Sequence, residues 1–181
     1  MDKKKFLNVL FWFALISLTI VLRGIYIDIP LWYDEACSWF TAIQNFPFEI
    51  MDNLLTLDLQ HTPLYFFALH FWMKMFGDTE VMLRMFSLIF SVGTVPLVYF
   101  LAKKISTKQI AIISTCVAAT SPLLVFFSTE VRMYPVVVCL VMLSLNYLVD
   151  FEQKSDIKSL LKLTIANVLI PYTFVGGIFY N

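Results

Sequence analysis

The chain has 181 residues, of which 60% are apolar and 14% are charged, and its formal net charge is zero. Soluble globular domains carry about 25% charged residues, so the composition excludes a compact water-soluble domain. It also offers no basic face of the kind that binds nucleic acid. The three cysteines, Cys37, Cys116 and Cys139, form neither a disulfide framework nor a zinc-binding spacing.

Long apolar segments organise the chain. About 20 apolar residues are needed to cross a bilayer. Five segments reach or approach this length: 6–27, 82–102, 109–128, 134–149 and 160–180. We expect distortions in the last of them, at Pro171 and at Gly176-Gly177. The predicted fold class is therefore all-α, a multi-pass transmembrane helix bundle.

The distribution of charge predicts which segments face which side of the membrane. Lysines cluster at residues 3–5, 103–108 and 154–162, whereas residues 28–62 contain six acidic residues and neither lysine nor arginine. Because positive charge is retained in the cytoplasm, the lysine clusters and the N-terminus are predicted to be cytoplasmic. Residues 28–62 and the polar turn at 128–133 are then outside.

The apolar segment 63–76 is too short to fit this pattern as a simple span. Fourteen helical residues extend about 21 Å, against a hydrocarbon core of about 30 Å. Residue 27 is predicted to be outside and residue 103 in the cytoplasm, so the chain must cross the membrane an odd number of times between them. Segment 82–102 supplies one crossing. We therefore expect residues 63–76 to lie at the outer interface or to dip in and return, the alternative being a thin, tilted crossing.

The first outer segment carries paired acids within an aromatic sequence. Apolar residues recur at helical spacing through residues 33–45, which predicts an amphipathic helix at the membrane surface. Asp34 and Glu35 fall in its first turn, where an acid stabilises a helix start. Two adjacent acids at this boundary, flanked by aromatic residues, are also compatible with a general base or a metal site.

Other outer polar residues allow two interpretations each. His61 lies just outside the helix start predicted at Thr62-Pro63, and a lone histidine is more often structural than a metal ligand or catalyst. Arg23 is predicted to extend from its helix end to water. Arg84 and Arg132 either neutralise their neighbours, Glu80 and Glu130 respectively, or bind phosphate through the planar guanidinium.

Together these motifs resemble the N-terminal half of the GT-C membrane glycosyltransferases, in the branch with protein O-mannosyltransferases and the lipid A aminoarabinose transferase. The resemblance extends from about residue 22 to residue 179. The motifs, in order, are Asp34-Glu35, His61-Thr62-Pro63-Leu64-Tyr65, Leu83-Arg84-Met85-Phe86-Ser87, Thr120-Ser121-Pro122-Leu123 and Glu130-Val131-Arg132-Met133-Tyr134.

The resemblance implies an inverting transferase that takes a sugar from a polyprenyl-phosphate carrier outside the membrane. Asp34 would be the catalytic base with Glu35 in support, and His61 would lie near a divalent-metal ligand of some relatives. The residues that would contact the substrates are Arg84, Glu130, Arg132 and Tyr134.

Members of this family usually continue through several further spans. The resemblance therefore implies that residues 1–181 form a single transmembrane domain truncated at its C-terminal end, in the cytoplasmic membrane. A missing half or a complementing subunit would be its partner, beside membrane lipids and the donor. The alternative is a non-catalytic membrane protein, either a transporter or flippase partner or an assembly subunit. A transporter would carry ionisable residues within its spans, and these spans carry almost none.

Overall fold

The computed structural model describes residues 3–57 and 61–175, and these ranges contain nine α-helices and no strand. The helices are α1 Lys3–Gly24, α2 Tyr33–Ile43, α3 Phe48–Leu57, α4 Pro63–Phe76, α5 Glu80–Ile105, α6 Lys108–Thr120, α7 Pro122–Phe126, α8 Tyr134–Lys154 and α9 Ile157–Thr173. The predicted all-α fold is confirmed. Within these ranges, α5 and α8 are long and apolar enough to cross a membrane, while α6 and the apolar part of α1 are shorter.

Helices α1, α5, α6, α8 and α9 form a bundle in which the long helices α5 and α8 run parallel. Ser87, near the start of α5, donates to the backbone carbonyl of Glu130 just before α8. At the other end of both helices, Lys104 pairs with Asp150 at 2.9 Å. Helix α1 runs in the opposite direction, because Trp12 packs against Tyr99 of α5 with ring centroids 4.6 Å apart.

Because of these helix directions, the lysine clusters and the acidic segment lie at opposite ends of the bundle. One end of the bundle carries residues 103–108 and 154–158 and is called the lysine end below. The other carries residues 28–57 and 127–133 and is called the acidic end. The predicted grouping of the lysine clusters opposite the acidic segment is therefore present in the fold.

Helix α4 lies across the acidic end. At its start, His61 contacts Arg132 in the segment before α8. Near its other end, Trp72 Nε1 donates to the carbonyl of Met82, in the first turn of α5, at 2.7 Å. Both ends of α4 therefore contact the same end of the bundle, as expected for a segment that does not traverse it.

The core of the acidic end is built from aromatic and aliphatic side chains of α4, α5 and the segment before α8. Its fully buried members include Tyr65, Phe66, Leu69, Leu83 and Val131. Helix α2 packs on α4, and the Ala42 carbonyl lies 2.8 Å from His70 Nδ1. This packing holds the paired acids of α2 against α5.

The prediction of one continuous span over residues 109–128 is wrong. Helix α6 ends at Thr120, and α7 begins at Pro122. Proline lacks an amide hydrogen and disfavours helical geometry in the residue before it, and Ser121 accordingly has φ −59° and ψ 120°. The apolar composition of the segment conceals this break.

The last two bundle helices also differ from their predicted spans. Helix α8 continues beyond residue 149 to Lys154, where Asp150 accepts an ion pair from Lys104. Helix α9 passes through Pro171 and ends at Thr173. Gly176-Gly177, and likewise Asp58 and Gln60 of the first outer segment, lie outside the described residues.

Candidate functional site

A buried ion pair forms the centre of the acidic end. Glu35 in the first turn of α2 is 1% exposed, and Arg84 of α5 is 2% exposed. The two side chains meet through two hydrogen bonds, Arg84 Nη2 to Oε2 at 2.6 Å and Nε to Oε1 at 3.3 Å. Arg84 therefore does not pair with Glu80, its neighbour in sequence.

Glu35 also joins α2 to the second outer segment. Its Oε1 accepts the amide hydrogen of Val131 at 2.9 Å, and its Oε2 accepts that of Trp32 at 3.2 Å. The second contact is one half of a capping box at the start of α2, since the N3 carboxylate accepts the N-cap amide but the Trp32 indole cannot accept the reciprocal bond. Glu35 thus supports the helix start, as one interpretation predicts, and in addition holds Arg84 and Val131 in place.

Arg84 uses most of its hydrogen-bonding capacity on the protein. Besides its bonds to Glu35, Nη2 donates to the Pro30 carbonyl at 3.1 Å and Nη1 donates to the Ile29 carbonyl. One hydrogen on Nε, one on Nη1 and two on Nη2 are engaged, out of the five of a guanidinium. Arg84 therefore fixes the approach to α2 and keeps little capacity for a ligand.

Arg132 brings together three of the predicted site residues. It is 7% exposed and donates from Nη1 to the backbone carbonyl of Asp34 at 3.3 Å. Its Nη2 lies 2.9 Å from His61 Nε2, which accepts because a guanidinium only donates. The Nε group of Arg132 is buried and has no hydrogen-bond partner among the described residues. No ion pair joins Arg132 to Glu130 within these residues either.

Two carboxyl groups of the site are not engaged. Asp34 is half-buried, and its carboxylate makes no hydrogen bond or ion pair within residues 3–57 and 61–175. Glu130 Oε2 is buried and also lacks a partner in these ranges. Burial raises the pKa of Glu130 above its usual value of 4.5, and the nearby charges of Glu35 and Asp34 act in the same direction, against Arg132 and Arg84.

A cavity of about 620 Å³ opens beside the ion pair. Its polar lining includes Glu35, Arg84, Thr129 and Glu130. Its aromatic lining consists of Tyr26, Trp32, Phe126, Phe127 and Tyr134. The volume is typical of small-molecule sites, in which a few polar groups converge within an apolar wall. An amphipathic ligand suits this lining better than a fully polar one.

The cavity unites four of the seven predicted site residues, namely Glu35, Arg84, Glu130 and Tyr134. Asp34, Arg132 and His61 adjoin one another beside it without lining it. The aromatic lining residues Tyr26, Phe126 and Phe127 are not among the predicted site residues. Their only signal is their position at the ends of apolar segments, where aromatic residues are common in membrane proteins.

His61 is engaged by an arginine through one of its ring nitrogens. Its Nε2 accepts a hydrogen bond from the cationic Arg132, so this nitrogen is not available to a metal ion. No group of three or more His, Cys, Asp or Glu side chains suited to a metal occurs in the part of the chain that the structure describes. The metal role of His61 stays a prediction, and the mechanism proposed below is derived from the side chains alone.

The fold and this cavity define a helical membrane protein with a ligand-sized aromatic and polar site at one end of its bundle. Residues 60–170 match the family model of the dolichyl-phosphate-mannose-protein mannosyltransferases. The chain belongs to this family of membrane glycosyltransferases, which confirms the GT-C resemblance. No curated protein and no solved structure matches the chain.

The matched region contains five of the predicted site residues, His61, Arg84, Glu130, Arg132 and Tyr134. Asp34 and Glu35 precede it. Their place in the site follows from contacts with matched residues: Glu35 pairs with Arg84, and the Asp34 carbonyl accepts from Arg132.

Proposed function

We propose that the protein transfers a sugar from a polyprenyl-phosphate-linked donor to a hydroxyl acceptor in the cavity of the acidic end. The observation that carries this proposal is the lining of the cavity, which combines aromatic walls with the unengaged carboxyl group of Glu130, while the cationic Arg132 lies beside the cavity. A phosphate-linked sugar on an apolar carrier has the matching combination of anionic, hydroxyl and apolar parts. The family match supports the same class of donor.

Arg132 is the better candidate for the donor phosphate. The charge of Arg84 is already compensated by Glu35 at 2.6 Å. Arg132 has no carboxylate within ion-pair distance in the described ranges, and its Nε group is unpartnered. Arg132 does not line the cavity itself but lies beside it, two residues before Tyr134, which does.

Asp34 is the proposed general base. In this mechanism its carboxylate takes the proton of the acceptor hydroxyl, and the acceptor oxygen forms the new bond to the anomeric carbon. The bond between that carbon and the phosphate oxygen breaks, and the phosphate keeps the electron pair. Glu130, whose pKa is raised by burial, donates a hydrogen bond to a sugar hydroxyl when protonated.

The proposed reaction takes place outside the cytoplasm, with the bundle crossing the membrane several times and the lysine end inside. This orientation follows from the separation of lysines and acids between the two ends. We expect Thr56→Cys, at an exposed position of the acidic end, to react with an impermeant maleimide in intact cells. Ser106→Cys, exposed at the lysine end, should react only after permeabilisation. Labelling of both positions from the same side would refute the orientation.

Arg132→Lys tests the proposed donor site, because lysine keeps the charge and loses the planar set of donors. A charge-assisted hydrogen bond contributes about 1.5–3 kcal/mol, so binding of polyprenyl-phosphate mannose should weaken about ten-fold or more. The measurement is equilibrium binding of labelled donor to purified protein in detergent.

The control is Lys74→Gln, which removes a charge from the exposed end of α4, away from the cavity. We expect this variant to bind the donor as the wild-type protein does. Equal donor affinity in Arg132→Lys and wild type, with both proteins folded, would remove Arg132 from the donor site.

A further inference from the structure

Arg23, in the last turn of α1, is buried inside the bundle. It is 2% exposed, so it does not extend to water, and the prediction that it does is wrong. Its Nη1 donates to the carbonyl and the hydroxyl of Ser91 in α5, the former at 3.0 Å. Its Nη2 donates to the Ala118 carbonyl in α6 at 2.9 Å. No carboxylate pairs with it in the described part of the chain, so its partners are these uncharged oxygens.

The Ala118 carbonyl needs a donor because of the break between α6 and α7. In a continuous helix this carbonyl would accept the amide hydrogen of residue 122, and Pro122 has none. The carbonyls at a helix C-terminus also carry the negative end of the helix dipole. The Arg23 guanidinium therefore supplies both the hydrogen bond and the positive charge that this helix end lacks.

Arg23 is connected to the cavity wall at its backbone as well. The Ser128 hydroxyl, which has one hydrogen to donate, lies 3.1 Å from the Arg23 carbonyl and 2.6 Å from the Val125 carbonyl of α7, the shorter of the two contacts. Ser128 precedes Thr129 and Glu130, and both line the cavity. The Arg23 side chain thus holds the helix end before the break, and its backbone carbonyl lies next to Ser128, two residues before Glu130.

We propose that Arg23 is a positioning residue for the transfer reaction: by closing the break at Pro122 with its guanidinium, it sets the position of the segment that leads to Glu130 at the cavity. This inference rests on the proposed function for its kinetic consequence. It assigns Arg23 no contact with either substrate.

The test combines a variant of Arg23 with a variant of Pro122, the residue that leaves the Ala118 carbonyl without an amide donor. Arg23→Met removes the donor to Ala118, and a displacement of about 1 Å in a site can cost about 100-fold in rate. We therefore expect kcat to fall by about that factor while KM for the lipid donor changes little. Pro122→Ala restores an amide hydrogen at residue 122 and removes the restriction on Ser121, so that Ser121 can become helical and this amide can bond to the Ala118 carbonyl. The double variant should therefore regain at least ten-fold in kcat over Arg23→Met. If Arg23→Met is not recovered folded, Arg23→Gln keeps one donor group and should show an intermediate loss with the same rescue.

A matched control removes a different hydrogen bond at the same break. Thr120 is exposed, and its hydroxyl donates to the Cys116 carbonyl at 2.9 Å. Thr120→Val should leave kcat at the wild-type value. A loss of kcat in Thr120→Val equal to that in Arg23→Met would show that any disturbance of the break has this effect, and would overturn the proposal.

A second readout does not depend on enzyme activity. Thr129 is buried in the wild-type protein, so Thr129→Cys, in a background with Cys37, Cys116 and Cys139 replaced by alanine, should react slowly with a maleimide. Labelling should accelerate about ten-fold or more in Arg23→Met and slow again when Pro122→Ala is added. Unchanged labelling in Arg23→Met, or no reversal by Pro122→Ala, would overturn the proposal. Absence of sugar transfer by the wild-type protein would instead count against the proposed function, and labelling would still decide the role of Arg23.

Discussion

Replacing Glu35 by glutamine is expected to lower the free energy of unfolding by about 3–5 kcal/mol, the usual cost of removing one partner from a buried ion pair. Arg84 would remain buried at 2% exposure without a countercharge. The Val131 and Trp32 amides would also lose a charged acceptor. The measurement is reversible unfolding in detergent, followed by tryptophan fluorescence.

Two further variants test whether the loss of stability comes from this ion pair. Glu80→Gln removes the acid four residues before Arg84, at an exposed position, and should leave stability within about 0.5 kcal/mol of wild type. Glu35→Met combined with Arg84→Met should recover part of the loss, because an apolar pair carries no unpaired charge, while the Val131 and Trp32 amides and the Ile29 and Pro30 carbonyls still lose their partners. An equal loss in Glu80→Gln and Glu35→Gln would contradict the pairing described here.

Replacing Asp34 by asparagine should reduce kcat for sugar transfer by about 10²–10⁴-fold, the usual contribution of a general base. Asparagine keeps nearly the same size and removes the basicity. Because the Asp34 carboxylate has no hydrogen bond or ion pair in the described ranges, the substitution breaks no side-chain contact there. The unfolding midpoint should therefore stay near the wild-type value while turnover falls.

Asp52→Asn is the matched control, since Asp52 is an exposed acid of α3 and does not line the cavity. Its turnover should equal that of the wild-type protein. If Asp34→Asn also turns over at the wild-type rate at normal expression, Asp34 is not the base. Its remaining role is then that of an acid that stabilises the start of α2.

Much of the fold was predictable because its signals are local. Apolar run length located the bundle helices, and lysine clusters grouped their ends. Thr62-Pro63 marked the start of α4, whose bounds match the predicted segment 63–76. The placement of α4 at the acidic end followed from a count of membrane crossings. The chain must cross an odd number of times between a segment predicted outside and one predicted inside. None of these inferences depends on which side chains meet in space.

The pairing of charges was not predictable in this way. Glu80, four residues from Arg84, is the natural partner by helical spacing, but the partner is Glu35, which is 49 residues away in sequence. The choice depends on how α2 packs against α5, and this is a tertiary contact. Arg23 was misjudged for the same reason, because its acceptors, Ser91 and Ala118, come from two other helices.

The break at Pro122 did have a local signal. Proline after serine in an apolar run disfavours helix at the serine, but mean hydropathy over the segment does not register a single residue. Two of the cavity aromatics follow from this break, since Phe126 ends the short helix α7 that it creates and Phe127 comes directly after it. Interpreting Pro122 as the start of a new helix would have predicted where Phe126 and Phe127 lie.

The central claim, that the acidic-end cavity uses a lipid-linked sugar, is tested most directly by a transfer assay in proteoliposomes. Purified protein would receive either polyprenyl-phosphate [³H]mannose or nucleotide-linked [³H]mannose, with a membrane extract as the source of acceptor. We expect label to pass from the lipid donor to acceptor, more slowly with Arg132→Lys, and not to pass from the nucleotide donor. Folded wild-type protein that leaves the lipid donor intact, or that uses the nucleotide donor instead, would contradict the claim.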